Sequence, residues 1–399
     1  MFDDWKLANV IPIFKNTDKS DPNCYRGISL TSLVSKLLET IIKNKLIVFL
    51  SENNFIVNTQ HGFQKGKSCV TNLLQFYDKI FNWIDNGDPV DIMYVDIKKA
   101  YDLISHYILL QKLFQIGIRG KLLSWIASWL MGRSQRVVIG GYESSWVNVE
   151  SGIPQGSILG PLLFLIFIND IGNGVIYSIL SSFADDTKVA KKVSNIKDRD
   201  EFQADINKLG AWANDSKMTF NLKKTKIMYT GRNNNKYTYK MYDSEICTTD
   251  MEKDLGIIVH NSLKMSPHII SSVKKANKLL GLISRTLDYK SSDSILPLYK
   301  ALVRPLLEFG SSFWNPYQQK DIDIIERVQR RVTKLIPHVR NLEYNQRLSM
   351  LGLESLECRR MKIDMVQLYK ILRGIDKVDI SEVFEIVQSN TRTNAFKRF

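Results

Sequence analysis

Two short apolar segments carry acids where buried strands tolerate few. Residues 178–193, SILSSFADDTKVAKKV, read as a β-hairpin with Ala184, Asp185 and Asp186 at its tip. Residues 90–97, VDIMYVDI, read as a short buried strand with Asp96 near its C-terminal end. Adjacent carboxylates at a tight tip repel each other and resist ionisation unless a cation neutralises them. A carboxylate ending an apolar strand is costly unless it is paired or coordinates a metal. Each feature alone has a plainer reading. Asp is common in turns, and Asp3-Asp4 is another pair, to which we assign no role. A strand bearing one acid, set beside a hairpin bearing two, would complete a site for two divalent ions about 4 Å apart. Mg²⁺ suits carboxylate oxygens, and Mn²⁺ is the alternative.

Around these segments strands and helices interleave, as in an α/β or α+β chain. ANVIPIF is a strand and KNTDKSDPN a polar loop. Residues 29–54 form a strongly amphipathic helix, with Leu33, Leu37, Ile41 and Leu46 near helical spacing. The loop NTQHGFQKGKS precedes a helix through Leu73, Phe76, Ile80 and Trp83, and a later helix runs through Leu109, Leu113 and Ile116. Gln135 to Val149 is a hairpin turning at Gly140-Gly141. Gly156 to Ile171 is a buried helix, started by a loop that Gly152, Pro154 and Gly156 shape for close backbone approach. Beyond residue 261 the spacing predicts helices at 267–286, 292–309 and 318–336, with the remainder helical too.

With 44% hydrophobic and 24% charged residues, the chain has the composition of a packed globular protein and not of a disordered one. Its net charge of +14 suits nucleic acid without requiring it. Cys24, Cys69, Cys247 and Cys358 stand far apart, which argues against a zinc site or a disulfide framework and suits a reducing, intracellular compartment. The N-terminal MFDDWKLANVIPIF has acids where a signal peptide would have bases. The longest apolar run, Leu162 to Ile168, is far short of the ~20 residues that span a bilayer. No membrane association is expected.

VDIKKAYD, SGIPQGSILGP and FADDT follow one another in this order. They resemble motifs A, B and C of reverse transcriptases, in the form found in non-LTR, LINE-like (jockey-like) retrotransposons. NVIPIFKNTDKSDPNCYRGISLTSLVSKLLE resembles the fingers segment and QHGFQKGKSC the loop after it. LGAWANDSKMTFNLKKTKIM resembles motif D, KDLGIIV the primer-grip strand, and LYKALVRPLLEFGSSFWNP the helical region beyond. The resemblance covers about residues 5 to 340. It implies an α+β, right-hand polymerase fold, with fingers at 1–90, palm at 91–260, and helical thumb and C-terminal region at 261–399. It implies extension of a DNA primer with dNTPs on an RNA template, assisted by two Mg²⁺ ions, with nuclear action.

Residue by residue, the resemblance makes Asp96, Asp185 and Asp186 the metal-binding catalytic acids. Tyr101 takes the place of an aromatic, most often Phe, that presses on the sugar and excludes a 2′-hydroxyl. Gln155 and Gly156 match the motif B loop that touches nucleotide and template, and Lys15 and Arg26 match basic residues that grip the triphosphate. Lys224 matches the motif D lysine that protonates pyrophosphate, with Lys223 and Lys226 as close competitors. Separately, Arg327, Arg330, Arg331 and Lys334 fall at i, i+3, i+4 and i+7, opposite Ile325, Val328, Val332 and Leu335. A basic stripe opposite an apolar one suits a thumb helix on a nucleic-acid backbone, and equally an ordinary exposed face. LINE-like proteins carry an endonuclease before the polymerase and a cysteine- and histidine-rich module after it. This sequence shows neither, so a fragment or the product of a decayed element is expected. The alternative function is a catalytically silent, nucleic-acid-binding remnant.

Overall fold

The computed structural model describes residues 1–15, 18–379, 384–387 and 395–398. In chain order the first elements are β1 (Leu7–Phe14), β2 (Tyr25–Leu30), α1 (Leu33–Glu52), α2 (Cys69–Asp85), β3 (Val90–Val95), α3 (His106–Gln115) and α4 (Gly120–Leu130). There follow β4 (Arg133–Ile139), β5 (Tyr142–Glu143), β6 (Val147–Val149), α5 (Gly160–Ile168), β7 (Ile179–Phe183), β8 (Asp186–Lys192), α6 (Ile196–Asp215) and β9 (Lys226–Thr230). Short strands β10 (Lys240–Met241), β11 (Ser244–Glu245) and β12 (Cys247–Thr248) lead to the pair β13 (Met251–Asp254) and β14 (Ile257–His260). Then come α7 (Ser266–Thr286), α8 (Ser292–Leu298), α9 (Arg304–Glu308), α10 (Ser311–Trp314), α11 (Gln319–Lys334), α12 (Tyr344–Met350) and α13 (Leu356–Leu372). The class is α+β. The chain forms two compact units: Met1–Phe63, Ile92–Ile227 and Asn235–Cys247 in one, Gln64–Asp91, Met228–Asn234 and Thr248–Phe399 in the other.

In the first unit β1 pairs antiparallel with β2, Ile13 opposite Arg26, and parallel with β4, Leu7 opposite Ser134. The β4–β5 turn works because Gly140 and Gly141 both take positive φ, as a two-residue hairpin of this hand requires. A second sheet places β3 between β8 and the start of β9, with β7 outside β8. Every residue of β3 is buried, as its apolar run predicts. In α5, GPLLFLIFI, every residue but Pro161 is buried, and a helix apolar all round has no solvent face to offer. It starts at Gly160, later than the expected Gly156, because Gly156 sits at φ 115°, outside helical space.

Helix α1 departs from the sequence reading. Leu33, Leu37 and Ile41 are exposed, whereas Ser35, Glu39, Leu46 and Leu50 are buried. Both sets recur near helical spacing, so apolar spacing alone does not choose the inward face. The inward pair satisfies itself in part, with Ser35 Oγ donating to Glu39 Oε1 at 3.2 Å.

In the second unit α2 opens on a reciprocal cap between Ser68 and Thr71 and buries Leu73, Phe76 and Ile80. Tyr77 donates to Asp254 Oδ2 of β13 at 2.9 Å. α11 packs on α7. The single helix expected at 292–309 is instead α8, a π-turn over Tyr299–Val303, and α9. Pro297 and Pro305 lack the N–H groups that an unbroken helix would need. The expected helical remainder is also corrected, because β15 (Phe384–Val387) and β16 (Ala395–Arg398) pair antiparallel with Phe384 opposite Arg398. FEIV consists largely of strand-favouring residues. Among the described residues no helix is long and apolar enough to cross a membrane.

Candidate active site

The β7–β8 ladder closes with Phe183 opposite Asp186, leaving Ala184 and Asp185 as a two-residue turn. Ala184 takes φ 57°, a left-handed conformation that costs a residue with a Cβ about 1–2 kcal/mol. Gln60 holds it there. Its Oε1 accepts from Ala184 N at 2.8 Å, and its Nε2 donates to Ala184 O at 3.3 Å. The same Oε1 accepts from Gly62 N at 2.8 Å, and a Cβ on Gly62 would lie 2.4 Å from Ala184 N. Ser182 N donates to Thr59 O and His61 N to Ser182 O, at 2.9 and 2.8 Å. The QHG segment therefore sets the backbone that aims Asp185. Its letters are visible in the sequence, but the role is not, since a backbone clamp has no reactive group to betray it.

Asp96 follows β3 directly. Its carbonyl accepts from Asn221 N at 2.8 Å, and Lys98 N donates to Thr219 O at 2.9 Å, which straps this segment to the loop carrying Lys224. Lys224 Nζ lies 3.5 Å from Asp96 Oδ2. Burial pushes the Asp185 carboxyl above its ordinary value. A backbone hydrogen bond and Arg26 oppose the rise, Asp96 adds to it, and Lys15 opposes it. Asp96, Asp185, Arg26 and Lys15, drawn from three separate stretches of sequence, thus act in one electrostatic field. Lys15 and Arg26 share a face of the β1–β2 ribbon, because Ile13 pairs with Arg26 and Lys15 N donates to Cys24 O at 2.8 Å. The Tyr101 phenol is pushed up to about 12 by burial and by Asp185, with Arg26 opposing. Its ring stacks on Phe164 of α5, centroids 4.6 Å apart and planes 12° from parallel.

The loop before α5 is fastened to both sides. Ile153 N donates to Tyr101 O and Gly152 N to Ile104 O, each at 2.9 Å. Gly152 has φ 86°, and a Cβ there would stand 2.7 Å from Asp102 O. On the other side Ser29 N donates to Gln155 O at 2.6 Å. Gln155 Nε2 donates to Asp102 Oδ1 at 3.0 Å.

Residues 15–282 match the family of reverse transcriptases (RNA-dependent DNA polymerases). The chain belongs to the reverse transcriptase family. It is 25% identical, over 83% of its length, to a protein described as a probable RNA-directed DNA polymerase from transposon X-element of Drosophila melanogaster. It is 23% identical over 87% of its length to the RNA-directed DNA polymerase from mobile element jockey of the same fly. It spans 38% and 40% of those two relatives. Among solved structures, telomerase from Candida tropicalis in complex with a telomeric RNA fragment covers 95% of this chain, at 11% identity and a TM-score of 0.49, with 60% of the telomerase chain matched.

Reverse transcriptases use divalent metal ions. Asp96 and Asp185 suit a hard cation: both offer carboxylate oxygens, and their mutual repulsion is what a cation would relieve. Asp186, the first residue of β8, is exposed. Among the described residues no three His, Cys, Asp or Glu side chains are arranged to hold a metal ion. Asp96 and Asp185 are electrostatically coupled, and Asp186 adjoins Asp185 as the first residue of β8.

The basic stripe of the second unit has the form read from the sequence. Arg327, Arg330, Arg331 and Lys334 are exposed on α11, while Ile325, Val328 and Val332 are buried and Leu335 is half-buried. Arg330 lies over the Tyr344 ring at 4.2 Å, and Arg331 donates to Asn277 Oδ1 at 3.3 Å.

Proposed function

We propose that this reverse transcriptase extends a DNA primer with dNTPs on an RNA template, as part of retrotransposon copying. One observation carries the reading: β3, which leads into Asp96, pairs with β8 of the hairpin whose turn carries Asp185, and Asp96, Arg26 and Lys15 all act on the Asp185 carboxyl. Asp96, Asp185 and Asp186 would hold Mg²⁺. Two bound Mg²⁺ ions would activate the primer 3′-hydroxyl and neutralise charge on the leaving pyrophosphate. Arg26 and Lys15 grip the triphosphate, and Arg26 offers a planar fork of donors. Gln155 and Gly156 present the loop edge to nucleotide and template, while Tyr101 fills the space a 2′-hydroxyl needs. Lys224 beside Asp96 supplies a proton to pyrophosphate. The fingers lie at 1–90, the palm at 91–260, and the thumb and C-terminal region at 261–399. The α11 stripe tracks the duplex backbone.

The test is primer extension by the purified chain on RNA and DNA templates, with Asp185→Asn beside the wild type. Loss of one charge-stabilising group at a reacting centre costs roughly 10²–10³-fold in rate. The variant should lose extension on that scale and keep its salt-sensitive affinity for primer-template. A wild type that binds duplex but extends nothing would instead make the chain a silent binding remnant.

A further inference from the structure

Glu39 belongs to none of the groups above, yet it is wholly buried, with 0% exposure. A buried carboxylate is costly unless its oxygens are satisfied. Both are. Oε2 accepts from Ile158 N at 2.8 Å and Leu159 N at 3.1 Å. Oε1 accepts from Trp129 Nε1 at 3.1 Å and from Ser35 Oγ at 3.2 Å. The Oε2 partners stand at the start of α5, whose N-cap residue, Leu159, provides no side-chain cap. Ser157 Oγ accepts from Gly160 N at 3.1 Å, and Glu39 supplies the acceptor for the two amides before it, from 119 residues away in sequence for Ile158.

What this anchor holds is the loop just before it. Gln155 and Gly156 lie between two fixed points. On one side Ser29 N binds Gln155 O, and Ser29 O sits where a Cβ of Gly156 would meet it at 2.7 Å. On the other side Glu39 binds the next two amides after Ser157. Ser29 ends in β2 and Glu39 lies in α1, so a single continuous segment grips both ends of the loop.

We propose that Glu39 is a positioning residue, one that sets the Gln155–Gly156 loop for the incoming nucleotide. The proposal rests on the polymerase reading above. A buried charge retained for stability alone would be a poor choice, since well-packed apolar groups often serve as well or better.

The experiment compares Glu39→Gln, Glu39→Asp and Trp129→Phe in the full chain. Glu39→Gln keeps the shape but loses the charge, and Glu39→Asp keeps the charge but shortens the reach. Trp129→Phe removes one donor from the same carboxylate and leaves its loop contacts alone. Hydrogen–deuterium exchange of the peptide holding the Ile158 and Leu159 amides is read first. It should quicken in Glu39→Gln by about ten-fold, the scale of losing a hydrogen bond to a charged acceptor. Trp129→Phe should leave it unchanged. Single-nucleotide incorporation is read second. In Glu39→Gln the KM for dNTP should rise about ten-fold with kcat within two-fold, as lost ground-state positioning predicts. Trp129→Phe should hold the wild-type KM even where its melting temperature falls. If Glu39→Gln does not fold, Glu39→Asp carries the test, with the same rise in KM and the same local exchange. Wild-type KM and exchange in a folded Glu39 variant overturn the proposal, as does an equal rise in KM in Trp129→Phe. A wild type that extends no primer refutes the polymerase reading, whereas the exchange arm still decides whether Glu39 anchors the loop.

Discussion

Replacing Tyr101 with Ala should admit ribonucleotides. The ring is backed by Phe164, which is itself 0% exposed within α5. A phenol stacked at 12° on a buried neighbour cannot swing aside without losing the stack, worth about 0.5–1.5 kcal/mol. A ribose 2′-hydroxyl pressed against this ring finds no partner, at a cost of about 1–3 kcal/mol. That range corresponds to roughly five- to 150-fold in selection, and steric overlap adds to it. The measurement is kcat/KM for matched dNTP and rNTP, taken as a ratio in wild type and variants. Tyr101→Ala should bring the ratio down by at least about ten-fold, and Tyr101→Val should do so less completely. Tyr101→Phe is the control. It keeps the ring and the stack and removes only the hydroxyl that burial and Asp185 hold protonated, so selection should persist. A ratio unchanged in Tyr101→Ala would reduce the residue to a packing aromatic between the motif A turn and α5.

The basic stripe is tested by Arg327→Gln with Lys334→Gln, which should weaken primer-template binding on every sequence alike and lower the log K against log salt slope by about 2; an unchanged slope would separate α11 from the nucleic acid. His268 gives a pH signature. Burial, followed by Lys275, holds its imidazole down at about 4 from an ordinary 6.5, and the neutral ring accepts from Ile258 N at 3.2 Å. The unfolded chain takes up this proton first, so the ring's contribution is full above about 6.5 and is lost as pH falls through about 4, to a limit of about 3 kcal/mol. Denaturant midpoints at pH 7 and pH 4.5 should diverge in wild type and draw together in His268→Asn; equal pH slopes would exclude His268 as the source.

Most of the elements were legible from apolar period and turn chemistry. β3 is a continuous apolar run, α5 is apolar on every face, and Gly140-Gly141 demands a tight hairpin. The candidate acids were legible for another reason: Asp96 and Asp185 violate the local rule that apolar segments exclude charge. Less visible was anything set by partners far along the chain. The start of α5 depends on Gly156 taking φ 115° against Ser29, and the helix after α8 gives way to a π-turn between Pro297 and Pro305. Gln60 is unremarkable in sequence because it works through the backbone of Ala184, 124 residues away.

Helix α1 shows how such a distant demand adds to an apolar pattern. Its sequence offers Leu33, Leu37 and Ile41 as one stripe and Ser35, Glu39, Leu46 and Leu50 as another. Burial favours the stripe with more apolar area, at about 25 cal/mol per Å². The second stripe also carries the half-buried Leu38, Ile42 and Phe49, so apolar burial turns that face inward and takes Glu39 with it. Leu33 and Leu37, on the other face, are 78% and 69% exposed. Glu39 and Ser35 can face inward only because two backbone amides, an indole N–H and a hydroxyl satisfy the carboxylate. Apolar burial and hydrogen bonding therefore agree on the rotation of α1, since turning Leu33, Leu37 and Ile41 in would give up the larger apolar face and also leave the amides of Ile158 and Leu159 without their acceptor.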